Sequence, residues 1–210
     1  MEALLAFGAA LLALRLSGLL AARWRSTGAP HLAAWSAGLG AYALGAAALA
    51  SGAAAGWDDR SFRAYYLFGG LLTAPLLGAG ALLGPSSPLK RARRAAAPVV
   101  LVYTGLALGI AIAVPLSSPV AGTTIPEAQA HLELFPARIL AIFGNVGGSI
   151  ALVGVALLTI RKRPLGNSLL LAGVVVAAVG SALAGLGAGE TALFVAVAAA
   201  LIYLGSSVRS

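Results

Sequence analysis

The feature that most constrains this fold is a series of apolar runs, each about as long as a helix that crosses a membrane. A hydrocarbon core about 30 Å thick needs about 20 helical residues, and seven runs meet that length. They lie near residues 2–22, 32–55, 63–84, 96–116, 137–160, 165–187 and 190–206. Because 60% of the residues are hydrophobic and 10% are charged, an ordinary polar surface is excluded. The sequence therefore predicts an all-α integral membrane protein, a seven-transmembrane-helix bundle in a single domain over residues 1–210.

The charged residues divide between the two sets of connections. The acidic residues are Glu2, Asp58, Asp59, Glu127, Glu133 and Glu190, at the N-terminus and in alternate loops. The other connections and the C-terminus hold Arg23, Arg25, Lys90, Arg91, Arg93, Arg94, Arg161, Lys162, Arg163 and Arg209. Because basic loops stay in the cytoplasm, we expect the N-terminus outside and the C-terminus cytoplasmic. The net charge of +8 then indicates contact with anionic lipids at the cytoplasmic face, and no binding of nucleic acid.

Composition also limits the cellular location and the kinds of site chemistry that the sequence allows. The absence of cysteine excludes disulfides, thiolate metal sites and cysteine nucleophiles. His31 and His131 fall on opposite sides of the predicted membrane, and no carboxylate lies inside a span, so we expect no metal, no cofactor and no buried acidic proton relay. Two lysines against twelve arginines, with abundant alanine and glycine, favour a GC-rich bacterial genome, and hence the bacterial inner membrane.

An internal repeat is suggested by a shift of 75 residues, which places the third span on the fifth. The shift aligns Arg63 with Arg138, Phe68 with Phe143 and Gly69 with Gly144, and it continues into the following span. We interpret the pattern as helical hairpins repeated in parallel orientation, plus a seventh helix. Biased composition raises the number of such matches, so the repeat stays a hypothesis.

Two stripes of polar residues are the candidate ligand-binding site. Arg63, Tyr66, Gly70 and Thr73 follow helical steps down the third span, and Arg138, Asn145 and Ser149 do so down the fifth. If both stripes face inward, they line an outward-facing polar pocket with two guanidinium groups at its rim. Because an amide at membrane depth needs partners, Asn145 is the strongest candidate. The alternative is an interhelical hydrogen bond that only fixes packing. Asp58 and Asp59 could pair with either arginine.

Arg15 is the one charge well inside a predicted span, and it completes the candidate ligand-binding set. A central arginine costs roughly 2.5 to 3.5 kcal/mol on insertion scales. Its side chain could extend toward the cytoplasmic headgroups near Arg23, which lies about 12 Å away at helical rise. Alternatively it faces the bundle and binds an anionic group. Pro75 and Pro115 are expected to interrupt their helices, and each frees a backbone carbonyl.

The outer loop from Ser117 to Pro136 is long enough to carry a short helix. Thr124 and Glu127 have the spacing of a capping box, and an apolar face follows it. That face consists of Ile125, Ala128, Leu132 and Phe135. Small residues at four-residue steps also predict close helix packing in the last spans. They are Gly105, Gly109 and Ala113, then Gly144 and Gly148, then Gly173, Ala177, Ser181 and Gly185.

Three functional hypotheses follow from these features. The first is binding or translocation of a small neutral, anionic or lipid-like ligand within the helix bundle. The second is a non-enzymatic accessory or sensory subunit that contacts a partner protein or forms an oligomer. The third is a membrane enzyme acting on lipid headgroups through Asp58, Asp59 and His131, which lie in separate loops. No motif names a reaction, so a catalytic role is the weakest of the three.

Overall fold

The computed structural model describes residues 2–85, 87–162 and 164–185, together with residues 197, 198, 200 and 201. Every regular element in these ranges is helical. Six long helices occur in them: α1 (Glu2–Thr27), α2 (Pro30–Ala55), α3 (Asp59–Leu83), α4 (Lys90–Ala113), α5 (Leu134–Leu158) and α6 (Pro164–Gly185). One turn of helix, Ala128–His131, lies in the connection between α4 and α5.

Helices α1 to α5 are each long enough and apolar enough to cross a membrane. The prediction of an all-helical membrane protein is therefore confirmed. Helix α6 coincides with the sixth predicted span, near residues 165–187. The seventh, near residues 190–206, lies outside the described residues except for the four single positions given above. The number seven and the side of the membrane on which each end lies stay predictions.

Helix ends differ from the predicted spans where capping or proline decides them. Helix α3 begins at Asp59 rather than near residue 63, because Asp58 and Ser61 form a capping box at its N-terminus. Helix α4 begins at Lys90 and ends at Ala113, and its C-cap Val114 is extended. Residues before proline avoid the α conformation, so the helix ends ahead of Pro115. The expectation that Pro115 interrupts a helix is therefore wrong.

The described helices run alternately up and down, so their connections gather at two ends. We call one the acidic end, where Trp57 and Phe62 form one core cluster with Val120 and Leu132. The other is the basic end, toward which Leu20, Leu77 and Leu152 pack together. The acidic end contains Asp58, Asp59, Glu127 and Glu133; the basic end contains Arg23, Arg25, Lys90, Arg91, Arg93, Arg94, Arg161 and Lys162. The predicted separation of charge is thus present in the fold.

The helices approach most closely where glycine faces a backbone. A Cβ added to Gly45 of α2 would lie 2.8 Å from the amide nitrogen of Gly69 in α3. A Cβ on Gly78 of α3 would lie 2.7 Å from the Cα of Gly148 in α5, and one on Gly148 would meet the carbonyl of Ala74. Such contacts need a residue without a side chain on both sides. They place α3 at the centre of the described bundle, between α2 and α5.

Candidate functional site

The two predicted polar stripes do face each other, on the acidic half of the bundle where α3, α4 and α5 meet. Asn145 of α5 donates its Nδ2 to the carbonyl oxygen of Gly70 in α3 at 2.7 Å. Under the repeat alignment these two positions are equivalent, and in the fold they are hydrogen-bonded partners. Tyr66 packs in the same region beside Tyr103 and Leu140. We call Arg63, Tyr66, Tyr103, Arg138 and Asn145 the polar cluster.

The backbone of α3 explains why its carbonyl accepts from Asn145. Residues Tyr66–Leu72 form a π-helical segment, and Pro75 follows it within one turn. In the i→i+5 register of a π-helical segment, the donor to the Gly70 carbonyl would be the nitrogen of residue 75, and proline there has no N–H. The Asn145 amide supplies a donor to Gly70 from α5. In apolar surroundings this bond replaces the one that Pro75 cannot make in that register.

Thr73 satisfies a second carbonyl of the same segment. Its Oγ1 donates to the carbonyl oxygen of Phe68 at 2.7 Å, five residues earlier. The hydroxyl is therefore engaged within its own helix. Ser149 is half-buried on α5, one turn beyond Asn145. Of the stripe residues, Asn145 makes the direct hydrogen bond from α5 to α3.

Arg63 binds the end of a neighbouring helix rather than an acid. Its Nη1 donates to the carbonyl oxygens of Ala111 and Val114, both at 2.8 Å. These carbonyls lie at the C-terminus of α4, where unpaired acceptors and the helix dipole favour a cation. The pairing that the sequence allowed with Asp58 or Asp59 is absent among the described residues. Each of those aspartates accepts a hydrogen bond from a backbone N–H, from Ser61 and Val120 respectively.

Arg138 is the contrasting member of the polar cluster. It lies half-buried at the start of α5, close enough to act electrostatically on the hydroxyl of Tyr66. Within the described part of the chain, no hydrogen bond or ion pair engages its guanidinium. The two arginines that the repeat alignment treats as equivalent therefore differ: Arg63 donates to the end of α4, while no described residue accepts a hydrogen bond from Arg138.

Tyr103 belongs to the polar cluster although the polar stripes did not include it. Its hydroxyl donates to the carbonyl oxygen of Leu140 at 3.1 Å, and its ring lies over Gly144. A Cβ on Gly144 would meet the Tyr103 hydroxyl. The pairing of glycine with a tyrosine on another helix is not visible in one sequence.

The space inside the polar cluster is small. A void of about 10 Å³ lies between Phe62, Arg63, Tyr66 and Leu116, close to the volume that one water needs. A larger, open depression of about 500 Å³ lies elsewhere at the acidic end, lined by Trp57, Asp58, Ser61 and Thr123 among others. The side chains of the two stripes are thus packed on one another, and none of them lines the open depression.

The connection between α4 and α5 covers the acidic end. Its only helix is the single turn Ala128–His131, which starts after Pro126, and the predicted capping box of Thr124 and Glu127 is absent. The capping box at this end is that of Asp58 and Ser61, which the Asp-x-x-Ser spacing could have indicated. Hydrogen bonds from Ser61 hold the pKa of Asp58 below its usual value.

His131 anchors the same connection. Its Nδ1 lies 2.9 Å from the hydroxyl oxygen of Ser118, and its ring packs edge-on against Phe62 at 5.4 Å between centroids. Glu127, one helical turn before His131, does not contact it and accepts from the side-chain amide of Gln129. The side chains of His131, Asp58 and Asp59 each make a hydrogen bond that holds the connections at the acidic end in place.

Arg15 lies apart from the polar cluster. It is exposed at the middle of α1, on the side opposite the face that packs against α2. The interpretation that it faces the bundle is therefore wrong for the described helices. The structure brings together Arg63, Tyr66, Thr73, Arg138 and Asn145, with Ser149 adjoining, and leaves Arg15 outside the set.

Arg63 is expected to contribute to stability through the end of α4. Replacing it with glutamine removes charge-assisted hydrogen bonds to two carbonyls, and should lower the free energy of unfolding by about 1 to 2 kcal/mol. Arg60, exposed on the same turn of α3, provides the control Arg60→Gln. Denaturant titration in detergent would measure both. Equal effects of the two substitutions would contradict the assignment.

The chain was compared with protein-family models, with curated proteins and with solved structures, and no match was found. Functional argument therefore depends on the geometry of the polar cluster.

Proposed function

We propose that this chain is a multi-pass bacterial inner-membrane protein that binds an anionic, lipid-like ligand at the acidic end of its bundle, through Arg138. The observation that carries the proposal is the guanidinium of Arg138, half-buried at the start of a membrane-length helix and without a hydrogen-bond partner among the described residues. A guanidinium pairs well with phosphate, because its planar fork matches two phosphate oxygens.

The surroundings of Arg138 favour a ligand with apolar chains. Phe135 is 73% exposed and Leu134 is 53% exposed just before it, and Ile142, one turn beyond it, is 53% exposed. Phe135 has an extended backbone, so an anionic group on Arg138 would have exposed apolar side chains in the kinked segment before it and, at Ile142, along the regular helix after it. That combination suits a phospholipid headgroup with its acyl chains along α5, more than a free anion in water.

The neighbouring residues support a fixed position for Arg138. Tyr66 lies beside it, and the Asn145 bond to Gly70 holds α5 against α3 one to two turns deeper. Arg63 donates to the carbonyls at the end of α4 and so holds α3 against α4. In the polar cluster, Asn145 and Arg63 thus make contacts between helices. Arg138 is the cation of the cluster that has no hydrogen-bond partner among the described residues.

The proposal includes the orientation of the protein in the membrane. The basic residues gather at one end of the described bundle, and the positive-inside rule assigns that end to the cytoplasm. Arg138 then lies in the outer leaflet. Single cysteines introduced near Asp59 and Arg93 would be labelled from opposite sides of the membrane, since the native chain has no cysteine. Labelling from the same side would contradict this orientation.

The ligand assignment is tested by native mass spectrometry of gently solubilised protein. With an equimolar mixture of phosphatidylglycerol and phosphatidylcholine, wild-type protein should retain the anionic lipid, and Arg138→Gln should reduce that retention about tenfold. Arg60→Gln, a charge loss at the same end, should leave it unchanged. Added inorganic phosphate distinguishes the two sources of the anion: it should not displace the lipid. Equal retention by all three proteins would exclude Arg138 as the binding group.

A further inference from the structure

The exposed face of α1 has a charge at its centre that the described part of the protein leaves unpaired. Arg15 lies twelve residues from each end of the helix Ala3–Thr27 (15 − 3 and 27 − 15), about 18 Å at helical rise, and eight residues, about 12 Å, before Arg23 at the basic end. The face continues through Leu4, Gly8, Leu11, Gly18 and Ala22, at steps of three and four residues. The opposite face, which includes Ala9, Ala13 and Leu16, is buried against the bundle.

The described carboxylates cannot compensate this charge. Asp58, Asp59, Glu127 and Glu133 all lie at the acidic end of the bundle, and Glu2 begins α1. No hydrogen bond or ion pair joins Arg15 to any described residue. The described helices of a second copy would likewise bring no carboxylate to the middle of a membrane-length helix. An arginine at that depth costs roughly 2.5 to 3.5 kcal/mol unless a group accepts its hydrogen bonds.

The two glycines on this face leave room for another helix. A Cβ added to Gly8 or to Gly18 would meet nothing within 4 Å, so both positions open outward. They lie two turns before and one turn after Arg15. Small residues beside a polar group allow a neighbouring backbone to come close enough for an interhelical hydrogen bond. The open shape of this face and its unpaired charge therefore both favour a neighbouring helix that carries a hydrogen-bond acceptor.

We infer that the exposed face of α1 docks a transmembrane helix of a partner protein, and that this helix carries a carboxylate at the depth of Arg15. The carboxylate accepts from the guanidinium between Gly8 and Gly18, and the ion pair removes the cost of an isolated charge in the hydrocarbon core. This inference goes beyond the lipid site of Arg138, which lies on α5.

The probe is a synthetic 24-residue leucine-alanine transmembrane peptide with aspartate, asparagine or leucine at its centre. Energy transfer between labelled peptide and labelled full-length protein in phosphatidylcholine vesicles gives the association constants. Wild-type protein should bind the aspartate peptide about tenfold more tightly than the leucine peptide. Arg15→Gln should abolish that preference, and the basic-end control Arg23→Gln should keep it. Gly18→Leu should weaken association with the aspartate peptide, because it fills the open position.

Three results would overturn the inference. Equal binding of the three peptides by wild-type protein would mean that Arg15 extends to the headgroups. A preference that persists in Arg15→Gln would place the contact on another helix. A preference that appears only in Glu190→Gln would show that the chain's own Glu190, outside the described residues, already occupies Arg15.

Discussion

Replacing Gly148 with leucine is expected to separate α5 from α3 and to have the largest effect on stability among single substitutions in this bundle. A Cβ at position 148 would meet the carbonyl of Ala74 and would lie 2.7 Å from the nitrogen of Pro75. Both contacts are with backbone, which cannot move aside as a flexible side chain can. Overpacking of a close contact costs about 1 to 3 kcal/mol or more, and here the helices must move apart.

The neighbouring glycine provides a matched control for this prediction. Gly147 is exposed, and a Cβ on it would meet nothing within 4 Å. Gly147→Leu should therefore leave the unfolding midpoint in a denaturant titration nearly unchanged, whereas Gly148→Leu should lower it sharply. Gly148→Ala should fall between them. Similar midpoints for the two leucine variants would mean that α5 does not pack on α3 through this face.

Replacing Asn145 with leucine is expected to leave the carbonyl of Gly70 without a donor. That carbonyl lies five residues before Pro75, which has no N–H, so water or distortion of α3 must compensate. Interhelical hydrogen bonds in membranes contribute about 0.6 to 2 kcal/mol. Because Pro75 cannot donate to this acceptor in the π-helical register, we expect a loss of about 1 to 2 kcal/mol in the free energy of unfolding.

A double-mutant cycle separates this explanation from simple packing. Pro75→Ala restores an N–H donor to α3, so Asn145→Leu should cost less in the Pro75→Ala background than in the wild type. Unfolding of the four proteins in mixed detergent micelles gives the coupling energy. Additive effects of the two substitutions would contradict the idea that Asn145 substitutes for the donor that proline removes.

The apolar runs predicted helices α1 to α5 because so many consecutive apolar residues can satisfy their backbone in a membrane only as a helix. Helix ends were less predictable. The start of α3 depends on one aspartate and one serine, and the end of α4 depends on the conformation imposed ahead of Pro115. These are local effects of a few atoms, to which an average over a long apolar run is insensitive.

The sequence predicted that the two polar stripes face each other, but it did not predict the place of Tyr103, the separation of Arg15 from the stripes, or the hydrogen-bond partners. Helical spacing placed Arg63 and Asn145 on facing stripes, but a stripe does not specify which partner lies opposite. The partners of both residues are backbone carbonyls, on α4 and α3, which have no side-chain signature. The two aspartates accept from backbone N–H groups instead: Asp58 from Ser61 within its own capping box, and Asp59 from Val120 of the loop between α4 and α5.

The two equivalent arginines show why function could not be derived from the pattern alone. Both follow the start of a membrane-length helix, and both were candidates for a ligand. The difference between them arises from the chain that surrounds them: α4 ends beside Arg63, whereas exposed Phe135 precedes Arg138. The fold, more than the residue type, therefore distinguishes a packing arginine from an available one.

The most direct test of the central claim is the melting temperature of wild-type and Arg138→Gln protein in nanodiscs of phosphatidylglycerol and of phosphatidylcholine. If a headgroup bound to Arg138 contributes about 1 kcal/mol, the wild type should melt about 2 to 4 °C higher in the anionic lipid. Arg138→Gln should melt at the same temperature in both lipids. A difference between lipids that is equally large in the variant would contradict the assignment of Arg138 as the anion-binding group.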